Sequence, residues 1–144
     1  MLTIDASVLI AAAIRDEPAH AAAADALRRV TGSGLEIHQP AIALVEITSA
    51  AARRTGDGAF ARRVGQAMLA MPGLVVHALD ADAALIAATL ASDLRLRVAD
   101  AVYAATALAS GTTLMTLDAE LVDRAGSVVP AITPSDWIAK RPLR

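Results

Sequence analysis

The chain has 144 residues, no cysteine, 56% hydrophobic residues and a formal net charge of −2. The length predicts one domain spanning 1–144, and the lack of cysteine excludes disulfides and thiolate metal sites. The net charge excludes a polycation that binds nucleic acid by charge alone, although 12 of the 13 basic residues are arginines, which suit phosphate better than lysine does.

No stretch of the sequence predicts a membrane span or an export signal. The N-terminus "MLTIDASVLI" has no basic leader. Glu46, Asp93 and Asp100 interrupt the apolar runs, which would need ~18 residues to span a bilayer. We therefore expect a cytoplasmic protein with no membrane partner. The mean hydropathy of +0.50 indicates that a partner or a second copy covers part of the surface.

The first half of the chain begins with a short apolar strand over 2–4, followed mainly by helices. Residues 35–38 form either a short strand or an extended link. The predicted helices of this half, each closed by a turn containing glycine, cover 18–30, 40–54 and 59–71.

The second half alternates strands with helices. Its predicted strands or extended segments cover 74–79, 112–117 and 127–132, of which 74–79 has the strongest β-branched pattern. Its predicted helices cover 80–94, 94–110, 119–125 and 133–141. Apolar strands separated by helices predict an α/β fold, a three-layer α/β/α sandwich around a short parallel sheet.

Two aspartates directly follow predicted strands. Asp5 follows the strand over 2–4, and Asp118 follows the strand over 112–117. Binding sites in open parallel sheets form beyond the carboxyl ends of the strands, so both side chains should lie at one edge. The alternative is that each aspartate only caps the helix that follows it.

Two further acids lie among apolar residues on predicted helices. Glu46 has neighbours at three and four positions on the side of its helix that should pack inward. Asp100 lies close to Leu96 and Tyr103, with only Arg97 as a local partner. The alternative for Asp100 is an ion pair with Arg97 at the start of a helix.

If these four acids converge, their charges need compensation. Two carboxylates ~5 Å apart repel by roughly 3 kcal/mol at an effective dielectric near 20. A cluster of four is therefore stable only if some acids are protonated or a cation binds among them. Carboxylate oxygens without cysteine suit a hard ion, magnesium or manganese.

Four segments resemble the PIN-domain family, and in particular its VapC-type toxins. In chain order they are "IDASVLIA", "LVEITSAAAR", "ADAVYAATALA" and "LMTLDAEL". The resemblance implies a PIN-like fold and a metal-dependent endoribonuclease that hydrolyses RNA phosphodiester bonds. It further implies the toxin of a type II toxin–antitoxin pair, with an antitoxin protein as partner and a homodimer as the assembly. The apolar helices within 18–71 are the expected interface.

The resemblance also implies roles for single residues. The acids of the family correspond to Asp5, Glu46, Asp100 and Asp118, which would be catalytic and would hold magnesium, with manganese possible. Ser7 and Thr116 match small hydroxyl residues that support the first and the last acid. The mechanism would be in-line attack on the phosphate by a water that the metal activates.

Some assignments stay open at this level. Arg15, Arg95 and Arg97 are candidates for contacts to RNA backbone phosphates. The proton of the attacking water would go to Glu46, Asp100 or Asp118, and the residues do not distinguish among the three. The alternative function is a catalytically silent PIN-like module that binds RNA or a protein without cleaving.

Overall fold

The computed structural model describes residues 1–140, which form five strands and eight helices. The strands are β1 (Leu2–Ile4), β2 (Ile37–Pro40), β3 (Leu74–His77), β4 (Thr113–Met115) and β5 (Ala131–Ile132). The helices are α1 (Ala6–Ala13), α2 (His20–Gly32), α3 (Ile42–Thr55), α4 (Gly58–Leu69), α5 (Ala81–Leu94), α6 (Val98–Ser110), α7 (Ala119–Ala125) and α8 (Pro134–Ala139).

The five strands form one parallel sheet in the order β3-β2-β1-β4-β5. The chain runs outward from β1 to β3, then returns to β4 on the other side of β1. Right-handed crossovers therefore place α1 to α4 on one face and α5 to α7 on the other. In agreement, α6 packs on β1, β2 and β4, while α1 contacts α2 and α3. The predicted α/β/α sandwich with a parallel sheet is confirmed.

Alanine lets the helices approach one another and the sheet closely. The buried face of α6 consists mostly of alanine, with Tyr103 fully buried among these small residues. At the α3–α4 contact, a Cβ on Gly65 would lie 2.6 Å from Thr48 Oγ1, so only glycine fits there without a shift. The high alanine content therefore allows close helix packing, although each buried alanine contributes little apolar area.

Several predicted boundaries are wrong, and local backbone geometry explains them. The helix predicted over 94–110 begins only at Val98, because Arg95 ends α5 in the left-handed conformation (φ 54°) and Arg97 is extended. The strand predicted over 74–79 ends at His77, before the Asp80 side chain accepts a hydrogen bond from the Ala83 N–H and caps α5.

The remaining strands are short or shifted. The segment predicted over 35–38 is a strand displaced to Ile37–Pro40, and the one over 112–117 covers only Thr113–Met115. Only the end of 127–132 is a strand, because the Val128 and Val129 N–H groups bond to the Ala125 carbonyl in a turn. The last residue of the helix predicted over 133–141 lies outside the described residues. Within 1–140 no helix is long and apolar enough to cross a membrane.

Candidate active site

The four predicted acids line one cavity of about 350 Å³. Asp5 and Asp118 follow β1 and β4, which are neighbouring strands where the direction of chain progression reverses. Glu46 comes from α3 on one face of the sheet, and Asp100 from the first turn of α6 on the other. The cavity therefore lies at the sheet edge where open parallel sheets form their sites.

Asp5 is the most buried of the four acids, at 6% exposure. Its Oδ2 accepts hydrogen bonds from Ser7 Oγ (2.5 Å) and Thr116 Oγ1 (2.8 Å). Burial raises the pKa of Asp5, the two hydroxyls partly offset this increase, and the charge of Asp100 adds to it. Asp5 occupies the N-cap position of α1, but no side-chain hydrogen bond caps the helix there, so the capping alternative does not account for its carboxylate.

Ser7 and Thr116 also join the ends of β1 and β4. Ser7 Oγ accepts a hydrogen bond from the Leu117 N–H (3.2 Å), and Thr116 Oγ1 accepts one from the Asp118 N–H (3.0 Å). Each hydroxyl thus contacts Asp5 and the backbone next to Asp118. The two residues fix the orientation of the Asp5 carboxylate relative to the β4 loop.

The two side-chain oxygens of Asp118 contact different partners, the N-terminus of α7 and the Arg97 guanidinium. Its Oδ1 accepts hydrogen bonds from the Glu120 and Leu121 N–H groups, at 2.9 and 3.2 Å, and so caps α7. Its Oδ2 accepts a hydrogen bond from Arg97 Nη2 at 2.5 Å. The capping alternative is therefore correct for Asp118, but it accounts for only one of the two oxygens.

Glu46 faces Tyr103 with one oxygen unsatisfied. Glu46 Oε2 and the Tyr103 hydroxyl are both buried, and neither makes a hydrogen bond of good geometry. Burial and the charges of Asp5 and Asp100 raise the pKa of Glu46, while the nearby Tyr103 hydroxyl lowers it. Burial and the charge of Glu46 also raise the pKa of Tyr103, which stays protonated. The sequence places Tyr103 one helical turn from Asp100 but gives no sign of its contact with Glu46, which comes from another helix.

Arg97 contacts two of the acids at once. Its Nε donates to Asp100 Oδ2 at 3.0 Å, and its Nη2 donates to Asp118 Oδ2. The Arg97 pKa is raised, first by the hydrogen bond and charge of Asp100 and then by Asp118. The Asp100–Arg97 ion pair considered as an alternative is therefore present, and Arg97 is not free to bind phosphate in this structure.

The other arginines differ in whether they line the acidic cavity. Arg15 is exposed and does not line the acidic cavity, whereas Arg53 and Arg54 do. Arg95 lines an adjacent cavity of about 170 Å³ together with Arg124, whose Nη1 donates to the Arg95 carbonyl at 2.5 Å. Sequence reasoning missed Arg53, although it lies seven residues after Glu46, two turns along α3.

The donor chemistry of the cavity fits a hard divalent cation. All four acids offer oxygen, and the unsatisfied Glu46 Oε2 is an acceptor that a cation would neutralise. The spacing of the acids does not form a metal site directly, because among residues 1–140 no three carboxylates or imidazoles lie close enough to hold an ion. The residues therefore fit magnesium or manganese by ligand type, and some side-chain movement is needed to bring them around an ion.

Comparison with known proteins identifies the fold family. The sequence matches the family model described as "PIN domain" over residues 2–127. No curated protein sequence matches significantly.

Solved structures provide more distant matches. VapBC2 from Rickettsia felis, bound to a DNA fragment from its promoter, aligns with a TM-score of 0.71 at 14% identity, covering 92% of this chain and 97% of that one. FitAcB from Neisseria gonorrhoeae aligns with a TM-score of 0.71 at 18% identity, covering 94% and 99%. VapC20 from Mycobacterium tuberculosis, a toxin that cleaves the sarcin–ricin loop, aligns with a TM-score of 0.67 at 18% identity, covering 85% and 94%.

Proposed function

The chain belongs to the PIN domain family, and from this premise we propose that it is a metal-dependent endoribonuclease, the toxin of a toxin–antitoxin pair. The observation that carries the proposal is the set of four carboxylates, from four separate elements, around one cavity. Such a set is costly without a cation, because like charges in a partly buried site repel one another. Catalysis that uses a cation gives a reason for keeping all four.

Asp5, Glu46, Asp100 and Asp118 would hold magnesium, or manganese in its place. When bound, such an ion stabilises the charge that develops on a phosphodiester during hydrolysis and lowers the pKa of water. The Ser7 and Thr116 hydroxyls hold the Asp5 carboxylate in one orientation for this role. That pre-orientation reduces the reorganisation that binding requires.

Glu46 can act as a base only with its Oε2 uncoordinated, Asp5, Asp100 and Asp118 then holding the ion, and among the four it is the acid best suited to accept the proton of the attacking water. Its Oε2 has no hydrogen-bond donor, and its raised pKa makes it a better base near neutral pH than an ordinary carboxylate. Arg53 lines the same cavity and would contact the phosphates of the strand next to the cleaved bond. The RNA strand would therefore lie across the acids with its backbone toward α3.

An RNA cleavage assay tests this proposal. The wild-type chain, Asp100→Asn and Asp93→Asn are incubated with total RNA in magnesium, in manganese or in a chelator. Asp93 is an exposed acid on α5, so Asp93→Asn is a matched control for the same chemical change. We expect cleavage by wild type and Asp93→Asn, no cleavage in chelator, and at least a hundredfold slower cleavage by Asp100→Asn. Equal rates for Asp100→Asn and wild type would refute the assignment of the site.

One observation favours the silent binding module as a second candidate. Within residues 1–140 the acids do not form a ready metal site, and Arg97 neutralises two of them. A silent module would bind RNA or protein in chelator as well as in magnesium and would cleave in neither. The same RNA assay, followed by a binding measurement, separates the two functions.

The proposed antitoxin would bind an apolar groove between α1, α2, α3 and α4. This cavity of about 380 Å³ has an apolar wall that includes Leu9, Ile47 and Phe60, with Arg28 and Arg63 at its rim. An amphipathic segment with acidic flanks complements such a surface. We expect Val64→Asp, which alters the groove, to abolish co-purification with a small protein encoded beside this chain. Leu108→Asp, at an exposed leucine on α6 outside the groove, should not. Unchanged co-purification of Val64→Asp would contradict this placement.

The proposed homodimer would use an apolar surface on β3 and α5, and not the helices within 18–71 that the sequence led us to expect. Here Val75, Val76, Leu79, Leu85 and Ile86 are all exposed. β3 is an edge strand of the sheet, and a second copy would cover both its side chains and the adjacent helix. Light scattering should give twice the chain mass for wild type and one chain mass for Leu85→Asp. A wild-type mass of one chain would contradict the dimer.

A further inference from the structure

Arg97 joins two acids that the fold brings together from distant parts of the sequence. Its Nε donates to Asp100 at 3.0 Å, three residues away on the same helix. Its Nη2 donates to Asp118 at 2.5 Å, 21 residues along the chain. The planar guanidinium therefore lies between a residue of α6 and the residue that caps α7. It supplies the positive charge that the two carboxylates need.

The Arg97 side chain is well placed to leave this position. It is 72% exposed, whereas the side chains of Asp100 and Asp118 are 17% and 28% exposed. Exposed ion pairs contribute little net stability, because water solvates the separated charges. The backbone at Arg97 is the extended N-cap of α6, and Val98 next to it is exposed, so no core contact holds the side chain. The Arg97 side chain is therefore less enclosed by the protein than either of the acids it contacts.

We propose that Arg97 is an internal counter-ion that closes the acidic pocket in the metal-free protein and leaves Asp100 and Asp118 when a divalent cation binds. This inference rests on the proposed function, because it assumes that the four acids bind a divalent cation. Arg97 and that cation would compete for the carboxylates of Asp100 and Asp118. The protein therefore exchanges one positive group for another and avoids a state in which all four carboxylates are uncompensated.

The released guanidinium has a destination beside the site. Arg97 lines both the acidic cavity and the adjacent one, where Arg95 and Arg124 also lie. Arg124 is held there by an ion pair with Glu120 and by a hydrogen bond to the Arg95 carbonyl. Release would add a third guanidinium to this group, and guanidinium groups bind phosphate oxygens well. Cation binding would thus also increase the affinity of this cavity for an RNA phosphate.

A manganese titration by calorimetry tests the competition. We compare wild type with Arg97→Ala, Arg97→Gln and the control Arg53→Ala. Arg53 lines the same cavity and its charge acts on Glu46, but its guanidinium donates to Ser49 Oγ and forms no ion pair with a carboxylate, so the control removes an equal charge near the acids without the bridge. Both Arg97 variants should bind manganese roughly three- to tenfold more tightly than wild type, and Arg53→Ala less than about twofold.

A nuclear magnetic resonance measurement reports on the side chain itself. In metal-free wild type the Arg97 Nε–H proton should exchange slowly with water, because it is bonded to Asp100. Saturating magnesium should make that exchange as fast as in an unpaired arginine. Asp100→Asn should show the fast exchange even without magnesium, because the charged acceptor is gone. Slow exchange that persists at saturating magnesium would overturn the inference.

The outcomes separate this inference from the proposed function. If wild type binds manganese and the Arg97 variants bind it with unchanged affinity, the inference fails and the proposed function stands. If Arg53→Ala tightens binding as much as Arg97→Ala, general electrostatics explains the effect and the inference also fails. If wild type binds no manganese, both are overturned. Arg97 is exposed, so the variants should fold, and their melting temperatures in chelator verify it.

Discussion

Replacing Glu46 with glutamine should stabilise the metal-free protein. Burial and the charges of Asp5 and Asp100 raise the pKa of Glu46, so at neutral pH its ionised form is less stable in the folded chain than in the unfolded one. Glutamine keeps the shape of the side chain and removes the charge. Two charges about 6 Å apart repel by ~1–3 kcal/mol at effective dielectrics between about 60 and 20. We therefore expect the free energy of unfolding of Glu46→Gln to exceed that of wild type by ~1–3 kcal/mol in chelator at pH 8.

The sign of the pH dependence follows from the direction of the shift. An acid with a raised pKa binds its proton more tightly in the folded state, so wild-type stability falls as pH rises from the ordinary pKa through the raised one. Below the ordinary value, Glu46 is protonated in both states and carries no charge penalty. The advantage of Glu46→Gln should be near zero at pH 4, grow with increasing pH and become constant above the raised pKa.

Urea denaturation in chelator at several pH values measures this difference. The control is Asp93→Asn, because Asp93 is an exposed acid outside the cavity, and its change should stay within about 0.5 kcal/mol at every pH. Equal or lower stability of Glu46→Gln at pH 8 would refute the electrostatic reasoning. It would mean that the Glu46 carboxylate is well solvated or already paired.

Three further predictions concern packing, positioning and metal. Thr116→Val should lose ~1–3 kcal/mol of stability, because Thr116 is fully buried and donates to Asp5. Thr116→Val should also weaken manganese binding, whereas Thr116→Ser should keep both the stability and the manganese affinity of wild type. Wild-type manganese affinity in Thr116→Val would contradict the positioning role of Thr116. Gly65→Ala should cost ~1–3 kcal/mol, because the new Cβ would lie 2.6 Å from Thr48 Oγ1. Gly58→Ala, with its nearest contact at 3.6 Å, should unfold like wild type, and equal effects of the two changes would contradict the α3–α4 packing. Magnesium at about 100 times its dissociation constant should stabilise wild type by about 2.7 kcal/mol over chelator, because it binds only the folded state; an unchanged melting temperature would count against a metal site.

The sequence was sufficient to predict the fold class because its strands are short apolar runs separated by helices. It was less informative about where elements begin and end. The α5–α6 junction depends on Arg95 in a left-handed conformation, a geometry that usually requires glycine or asparagine. β2 depends on pairing with β3 from Ile37–Leu74 to Pro40–His77, which no local pattern in 35–38 reveals.

The acids and their local partners were predictable, but the bridge between Arg97 and Asp118 was not. Asp5 and Asp118 directly follow apolar runs, and Glu46 and Asp100 interrupt apolar helix faces, so each acid is unusual in its local sequence. The bridge from Arg97 to Asp118 depends instead on the packing of α6 beside the end of β4. Such a contact between distant segments becomes visible only in three dimensions.

The most direct test of the central claim is anomalous diffraction from crystals soaked in manganese chloride at neutral pH. The account predicts a manganese peak in the cavity between Asp5, Glu46, Asp100 and Asp118. A peak only at the stacked His38–His77 pair would place the metal site elsewhere. An empty acidic cavity at saturating manganese, with Arg97 still bonded to its two acids, would contradict the claim that these acids form a metal centre.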